Sequence, residues 1–360
     1  MTVAVSSVIK PMSSPLINLI LDAFAGDATD VFLVEGGEPR IRKNGDIVTL
    51  HPGPLTRPAM EELWNMCGVN PANHCEADIS WRIADGVRLR VNLYHTLGRL
   101  AAVMRPIRRV IPGLGELGLP PELLQSWVSR RYGLVLVSGP TGSGKSTTVA
   151  ACLDWLNHQR GCHIVTLEDP IEYLFENEMA LFSQREVHRD SESFASGLRS
   201  ALRQSPDVIF LGEIRDAETA VTALHAAETG HLVISTLHGS SVVETIERFS
   251  NLLKSQSGGA LHLLATQLVG IICQQLLPRP DGGLFPALEY FQNEAVTRRW
   301  ILEGRTPELQ DHLHKNRGDA NCSLLDYLVA AVQQGCIDPD IARSACPRPQ
   351  DFDRAMRGIQ

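Results

Sequence analysis

Gly139-Pro140-Thr141-Gly142-Ser143-Gly144-Lys145-Ser146-Thr147 fits the phosphate-loop pattern G-x-x-x-x-G-K-[ST], and its flanks decide the fold. Before it, Leu134-Val135-Leu136-Val137 reads as a buried parallel strand. After it, Thr148 to Leu156 carries helix formers with apolar residues at helical spacing. A strand, a glycine-rich turn and a helix in that order curl backbone N–H groups around a phosphate at the positive end of the helix. Lys145 then reaches the β and γ oxygens, and the Ser146 hydroxyl can ligate Mg2+. These residues predict binding of a nucleoside triphosphate.

Further strand-like runs, Cys162 to Leu167, Val208 to Leu211 and Leu232 to Thr236, alternate with helical stretches. Alternation of this kind predicts a parallel sheet covered by helices, an α/β domain over residues 122–290. Residues 291–360 read as a mainly helical, polar region with no repeat. Upstream, an amphipathic stretch from Leu16 to Phe24 joins short strand-like runs at Val31 to Val34, Ile47 to Leu50 and Leu89 to Tyr94. That mixture predicts a small α+β domain over residues 15–109, after a tail at 1–14. Between the two domains, residues 110–121 are dense in Gly and Pro, the composition of a linker or hinge.

A chain of 360 residues with 44% hydrophobic content is long enough for two cores. No apolar run reaches the roughly 18 residues of a membrane helix, and the first residues lack a signal-peptide pattern. The expectation is a cytoplasmic protein with no integral membrane segment. Eight cysteines without a C-x-x-C pair suggest reduced packing residues rather than a zinc site or disulfide framework. A net charge of −8 argues against a phosphate-coating nucleic-acid binder, although Arg105, Arg108 and Arg109 form a local basic cluster.

Other positions can complete the chemistry. The strand ending in Leu211-Gly212-Glu213 delivers a carboxylate to the sheet edge where such folds bind Mg2+ and ligands; the alternative is a loop acid paired with Arg215. Asp216 reads as a helix N-cap. Leu167-Glu168-Asp169-Pro170-Ile171-Glu172 brings further acids to the same edge, where a carboxylate can orient or deprotonate a water. For Glu172 a capping box headed by Asp169 fits the residues equally well. His231 and His238 flank one strand and stand about 23 Å apart if it is extended, so they cannot share a metal ion. His238 falls at the phosphate edge and His231 at the opposite end. In the first domain, Arg88, Arg90 and Asn92 share one strand face, either as a solvated surface or as a row that completes a neighbour's nucleotide site. Arg105 carries the same two readings.

Taken together, these motifs resemble the secretion and pilus motor ATPases, most closely the PilT/PilU-like type IV pilus retraction (twitching motility) group. The resemblance runs from about Ala28 to Arg305 and includes Glu168 to Glu172, Gln184-Arg185-Glu186-Val187-His188-Arg189-Asp190, Leu198 to Arg203 and Glu228-Thr229-Gly230-His231 through His238. It implies a homo-hexameric ring of subunits, each joining a PAS-like N-terminal domain to a RecA-like ATPase domain. ATP and Mg2+ are the implied cofactors, and an inner-membrane pilus or secretion platform protein is the implied partner. The same resemblance makes Glu172 the catalytic glutamate and Glu213 the Walker B glutamate. It puts His231 and His238 in the His box, and Arg88, Arg90 and Arg105 in the region that supplies arginines to a shared nucleotide. Phe32 stands where members commonly carry histidine, and the retraction signature is only partly present in Ala295 to Glu303, with an extra residue. A type II or type IV secretion ATPase and a non-hydrolysing nucleotide-binding subunit remain open as alternatives.

Overall fold

The computed structural model describes residues 15–43, 45–83, 87–107, 110–254, 259–315, 318 and 320–358, and the chain divides into two compact units at 108/109. The tail at 1–14 and the arginines at 108 and 109 lie outside the described residues.

In the first unit, α1 (Pro15–Ala25) is followed by β1 (Asp30–Val34), β2 (Arg40–Lys43), β3 (Asp46–Thr49), α2 (Arg57–Met66), β4 (Glu76–Arg82), β5 (Arg88–Thr96) and β6 (Arg99–Pro106). The strands form one antiparallel sheet in the order β3-β2-β1-β6-β5-β4. Alternation in β5 buries Leu89, Val91 and Leu93 while Arg88, Arg90 and Asn92 lie on the other face. The inward residues pack with Ile20 of α1 and with Met60, Leu63 and Trp64 of α2. Leu97 and Gly98, both at positive φ, make the two-residue turn between β5 and β6 that suits the twist of a hairpin.

The second unit opens with the Gly/Pro-rich stretch, whose Leu114 and Leu119 are buried in the same cluster as Trp127. There follow α3 (Pro121–Val128), β7 (Gly133–Ser138), α4 (Lys145–Asn157), β8 (His163–Glu168), β9 (Leu181–Glu186), α5 (Phe194–Ala201), β10 (Val208–Leu211), α6 (Ala217–Glu228), β11 (Leu232–Leu237), α7 (Val242–Leu253) and α8 (Ala260–Gln267). The remaining elements are β12 (Leu268–Pro278), β13 (Leu284–Gln292), α9 (Ala295–Glu303), α10 (Thr306–Lys315), β14 (Asn321–Cys322), α11 (Leu324–Gln333), α12 (Pro339–Ala345) and α13 (Pro349–Met356). The sheet order is β14-β13-β12-β7-β11-β10-β8-β9, parallel from β12 to β9 with β13 and β14 antiparallel at one edge.

Strand β7 is buried on both faces, which is why it reads as an unbroken apolar run. Leu134 and Leu136 join the cluster under α5 to α8, whereas Val135 and Val137 join the one under α3 and α4. This is an α/β domain with helices on both faces of the sheet. The β12–β13 hairpin is absent from the strand-like runs read in the sequence, and its second strand reaches Gln292. Its first strand follows α8 with no intervening loop, and an apolar run such as Leu268 to Cys273 does not by periodicity distinguish a buried strand from a buried helix. At Gly270 a Cβ would stand 2.4 Å from the Trp127 ring, so only glycine lets that indole lie against β12. The indole N–H of Trp127 donates to Gln292 Oε1 at 3.0 Å.

Candidate functional site

All the phosphate-edge residues hang from the carboxyl ends of adjacent parallel strands, where open α/β sheets bind ligands. The loop after β7 bends through Gly139, Gly142 and Gly144, whose φ values of 146°, 80° and 87° are strained for other residues. Cys273 of β12 pairs with Ser138 of β7, which brings Gln274 level with the loop. A Cβ on Gly139 would stand 2.2 Å from the Gln274 carbonyl oxygen. Gln274 is itself buried and joins the loop to the first turn of α4: Nε2 donates to Ser143 O (2.6 Å) and Oε1 accepts from Thr148 Oγ1 (2.8 Å).

Lys145 opens α4, and its ammonium donates to the carbonyls of Gly139 and Pro140, each at 2.9 Å. Burial lowers its pKa, opposed by the carboxylates of Glu213 and Glu172. The structure thus brings Lys145, Glu172 and Glu213 into one electrostatic neighbourhood. Ser143 Oγ is buried with no hydrogen-bond partner among the described residues, and a phosphate oxygen in the loop would supply one. The glycine cradle, this orphaned hydroxyl and Lys145 fit a nucleotide phosphate chain. The hydroxyl of Ser146 in the first turn of α4 and the carboxylate of Glu213 are the hard oxygen donors that Mg2+ takes.

Glu213 follows β10, and His238 follows its parallel neighbour β11. Glu213 Oε1 lies 3.3 Å from His238 Nε2, and Oε2 accepts from Arg215 Nε at 2.8 Å. The acid therefore stands at the phosphate edge and is paired with Arg215 as well. Asp216 caps α6 by accepting from the N–H of Thr219 at 2.8 Å.

The acidic segment differs from its capping-box alternative. No helix begins there: the chain from Asp169 to Phe175 is irregular and Glu172 is exposed. Its shape is fixed instead by side chains from elsewhere. Gln184 of β9 donates to Tyr173 O (2.8 Å) and accepts from Phe175 N (3.1 Å), while the Tyr173 and Thr147 hydroxyls meet at 2.9 Å. Glu168, just before the segment, is buried and accepts from Thr166 Oγ1 at 2.6 Å. Burial pushes its pKa up to about 7, against the pull of hydrogen bonds from Thr166, Gln184 and the Glu172 backbone.

His231 lies away from the phosphate edge of its own chain, as its place before β11 predicts. Parallel pairing sets Leu232 opposite Gly133, at the end of β7 remote from the phosphate loop, and the His231 ring lies on Ala226 O (3.0 Å) at the close of α6. The first-unit arginines are paired within their own unit. Arg88 donates to Ser80 Oγ, Arg90 to Asp78 (2.9 Å) and Arg105 to the buried Asp30 (2.6 Å). Sequence reasoning missed Gln184 and Gln274. For Gln274 a signal existed, since glutamine inside the apolar run Leu268 to Leu277 is unusual for a buried strand.

Comparison with known proteins agrees with this geometry. The Type II/IV secretion system protein family matches residues 75–323. The type IV pilus retraction ATPase PilT of Pseudomonas aeruginosa is 36% identical over 332 residues, covering 90% of this chain and 96% of that protein. The type IV pilus ATPase PilU of the same organism is 35% identical, covering 78% of this chain and 75% of that protein. The crystal structure of the pilus retraction motor PilT with bound ADP superposes with a TM-score of 0.87 at 35% identity, covering 94% of this chain and 99% of that one. The ATPase DotB of Legionella pneumophila gives 0.76 at 26% identity, with 94% and 96% covered. The chain belongs to the Type II/IV secretion system protein family, in its PilT-like group of motor ATPases.

Proposed function

We propose that this chain hydrolyses ATP as one subunit of a hexameric motor that powers type IV pilus dynamics, retraction foremost. The observation that carries the reading is the convergence of the phosphate loop, Lys145, Glu172 and the Glu213–His238 pair at one sheet edge, in a chain that matches a pilus retraction ATPase over nearly its full length. In this reading Lys145 exchanges the carbonyls of Gly139 and Pro140 for the β and γ oxygens of ATP, and the loop N–H groups hold the phosphate chain. Ser146 and Glu213 hold Mg2+, which when bound neutralises charge on the β and γ oxygens. Glu172 orients the attacking water and takes its proton. His238, bonded to Glu213, senses the γ-phosphate. Arg88, Arg90 and Arg105 serve a neighbour's nucleotide, and to do so Arg90 and Arg105 exchange their acid partners, Asp78 and Asp30, for phosphate. His231 is left out of this set. The motor works from the cytoplasm against an inner-membrane platform protein; among the described residues no helix is long and apolar enough to cross a membrane.

A secretion traffic ATPase is the second reading. It is favoured by 46% identity over 157 residues to the type II secretion system protein E of Pectobacterium carotovorum, a match spanning only 30% of that relative. Deleting the gene and scoring twitching, pilus number and secretion separates the two. The hydrolytic reading is tested by steady-state ATPase assays of wild type and Glu172→Gln across a protein concentration series. Specific activity that rises with concentration, together with a dead variant that still binds ADP, is the expected result. Binding without turnover in wild type would move the regulatory-subunit alternative to the front.

A further inference from the structure

Behind the His238 loop lies an arrangement for which the proposed chemistry has no use. Glu289 of β13, paired with Cys273 of β12, is mostly buried and points its carboxylate at the starts of two helices. Oε1 accepts from the N–H of Val242, the first residue of α7, at 2.6 Å, and Oε2 from the N–H of Leu324, the first residue of α11, at 3.4 Å. Both are first-turn amides that their own helices cannot satisfy, at termini that favour negative charge. Burial raises the pKa of Glu289, while the two N–H groups and His314 act in the opposite direction.

What the two helices carry gives the contact its meaning. Helix α7 begins just after His238-Gly239-Ser240-Ser241. That loop is held by Ser138 Oγ donating to Gly239 O (3.1 Å), by Ser240 N–H donating to Glu244 (2.7 Å) and by Glu289 at Val242. Helix α11 opens the C-terminal cluster in which Leu328, Ile337, Ala342 and Phe352 pack on Ala287 of the same strand. A cavity of about 250 Å3 lined by His238, Ser240, Glu244, Gln274, Glu289 and Leu324 leaves the loop room to shift without repacking the sheet.

We propose that Glu289 is a positioning residue for hydrolysis: its carboxylate joins the first turns of α7 and α11, so that the loop carrying His238 is held by the C-terminal helical layer. This rests on the ATPase reading above. The test is a double-variant cycle on the full chain with Glu289→Gln, His238→Ala and their combination, reading kcat and KM for ATP together with binding of fluorescent ADP. Glutamine loses one of the two acceptors, so Glu289→Gln is expected to lower kcat about tenfold with KM and ADP affinity within about twofold. Because the effect passes through His238, the double variant should be within about twofold of His238→Ala. If Glu289→Gln does not fold, Glu289→Asp takes its place in the same cycle. A kcat within twofold of wild type, loss of ADP binding in step with kcat, or multiplying effects in the double variant would each overturn the proposal while leaving the ATPase reading intact. A wild type that binds ADP but never hydrolyses ATP overturns both.

Discussion

Glu168→Gln should make the second unit more stable at pH 8 than at pH 5 relative to wild type. Glu168 is only 6% exposed, and its acid form is favoured by burial, so its native pKa of about 7 lies above the ordinary carboxylate range. For an acid raised in the folded state the sign runs against stability as pH rises. Below about pH 4.5 both states hold the proton and nothing is lost; between there and pH 7 the unfolded chain ionises while the native chain does not; above pH 7 the penalty is constant. A rise from the ordinary carboxylate range to about 7 corresponds to about 3 kcal/mol in full, most of which accrues between pH 5 and pH 8. Glutamine keeps an acceptor for Thr166 and cannot titrate. At about 2 °C per kcal/mol for a unit of this size, the difference in melting temperature between variant and wild type should widen by about 5 °C from pH 5 to pH 8. Differential scanning calorimetry on both proteins at each pH reads it directly, since the shared titrations of other groups cancel in the difference. A difference constant to within about 1 °C would refute the reasoning, because it would mean that Glu168 ionises as readily in the native chain as in the unfolded one.

Other outcomes follow from the loop. Lys145→Ala should abolish fluorescent-ADP binding while leaving the melting temperature near wild type, because among the described residues the ammonium bonds loop carbonyls alone; retained binding would count against the phosphate-site assignment. Gln274→Leu strands the Ser143 carbonyl and the Thr148 hydroxyl, each costing about 1–3 kcal/mol, and should weaken ADP binding at least tenfold by titration; an unchanged Kd would show that the loop holds its shape unaided. Gly139→Ala puts a methyl 2.2 Å from a backbone carbonyl at a φ of 146°, so both ADP affinity and melting temperature should fall.

Much of the second unit was legible because its signals are local. The phosphate loop, the strands at β7, β8, β10 and β11, and Glu213 at the end of an apolar run each rest on neighbouring residues. What stayed hidden depends on partners far away in sequence. Asp169-Pro170-Ile171-Glu172 carries every residue of a capping box, yet Gln184 and Tyr173 hold it as an irregular segment, and nothing in those four residues could reveal that. The β12–β13 hairpin was lost because a fully buried strand and a buried helix share one apolar signature. The opposite placement of His231 and His238, by contrast, was legible, because the two flank a single strand whose direction fixes which one reaches the phosphate edge.

Strand β12 also acts as a ruler. Gly270 sits under Trp127 and Gln274 grips the phosphate loop, with the three residues of extended chain between them fixing the span between a hydrophobic notch and a polar fork. Inserting or deleting one residue between them would turn every side chain beyond it to the opposite face, so the indole notch and the loop fork could not both be met. Length variation in this hairpin is thereby confined to its tip, where Gly282 and Gly283 at positive φ have open space around them.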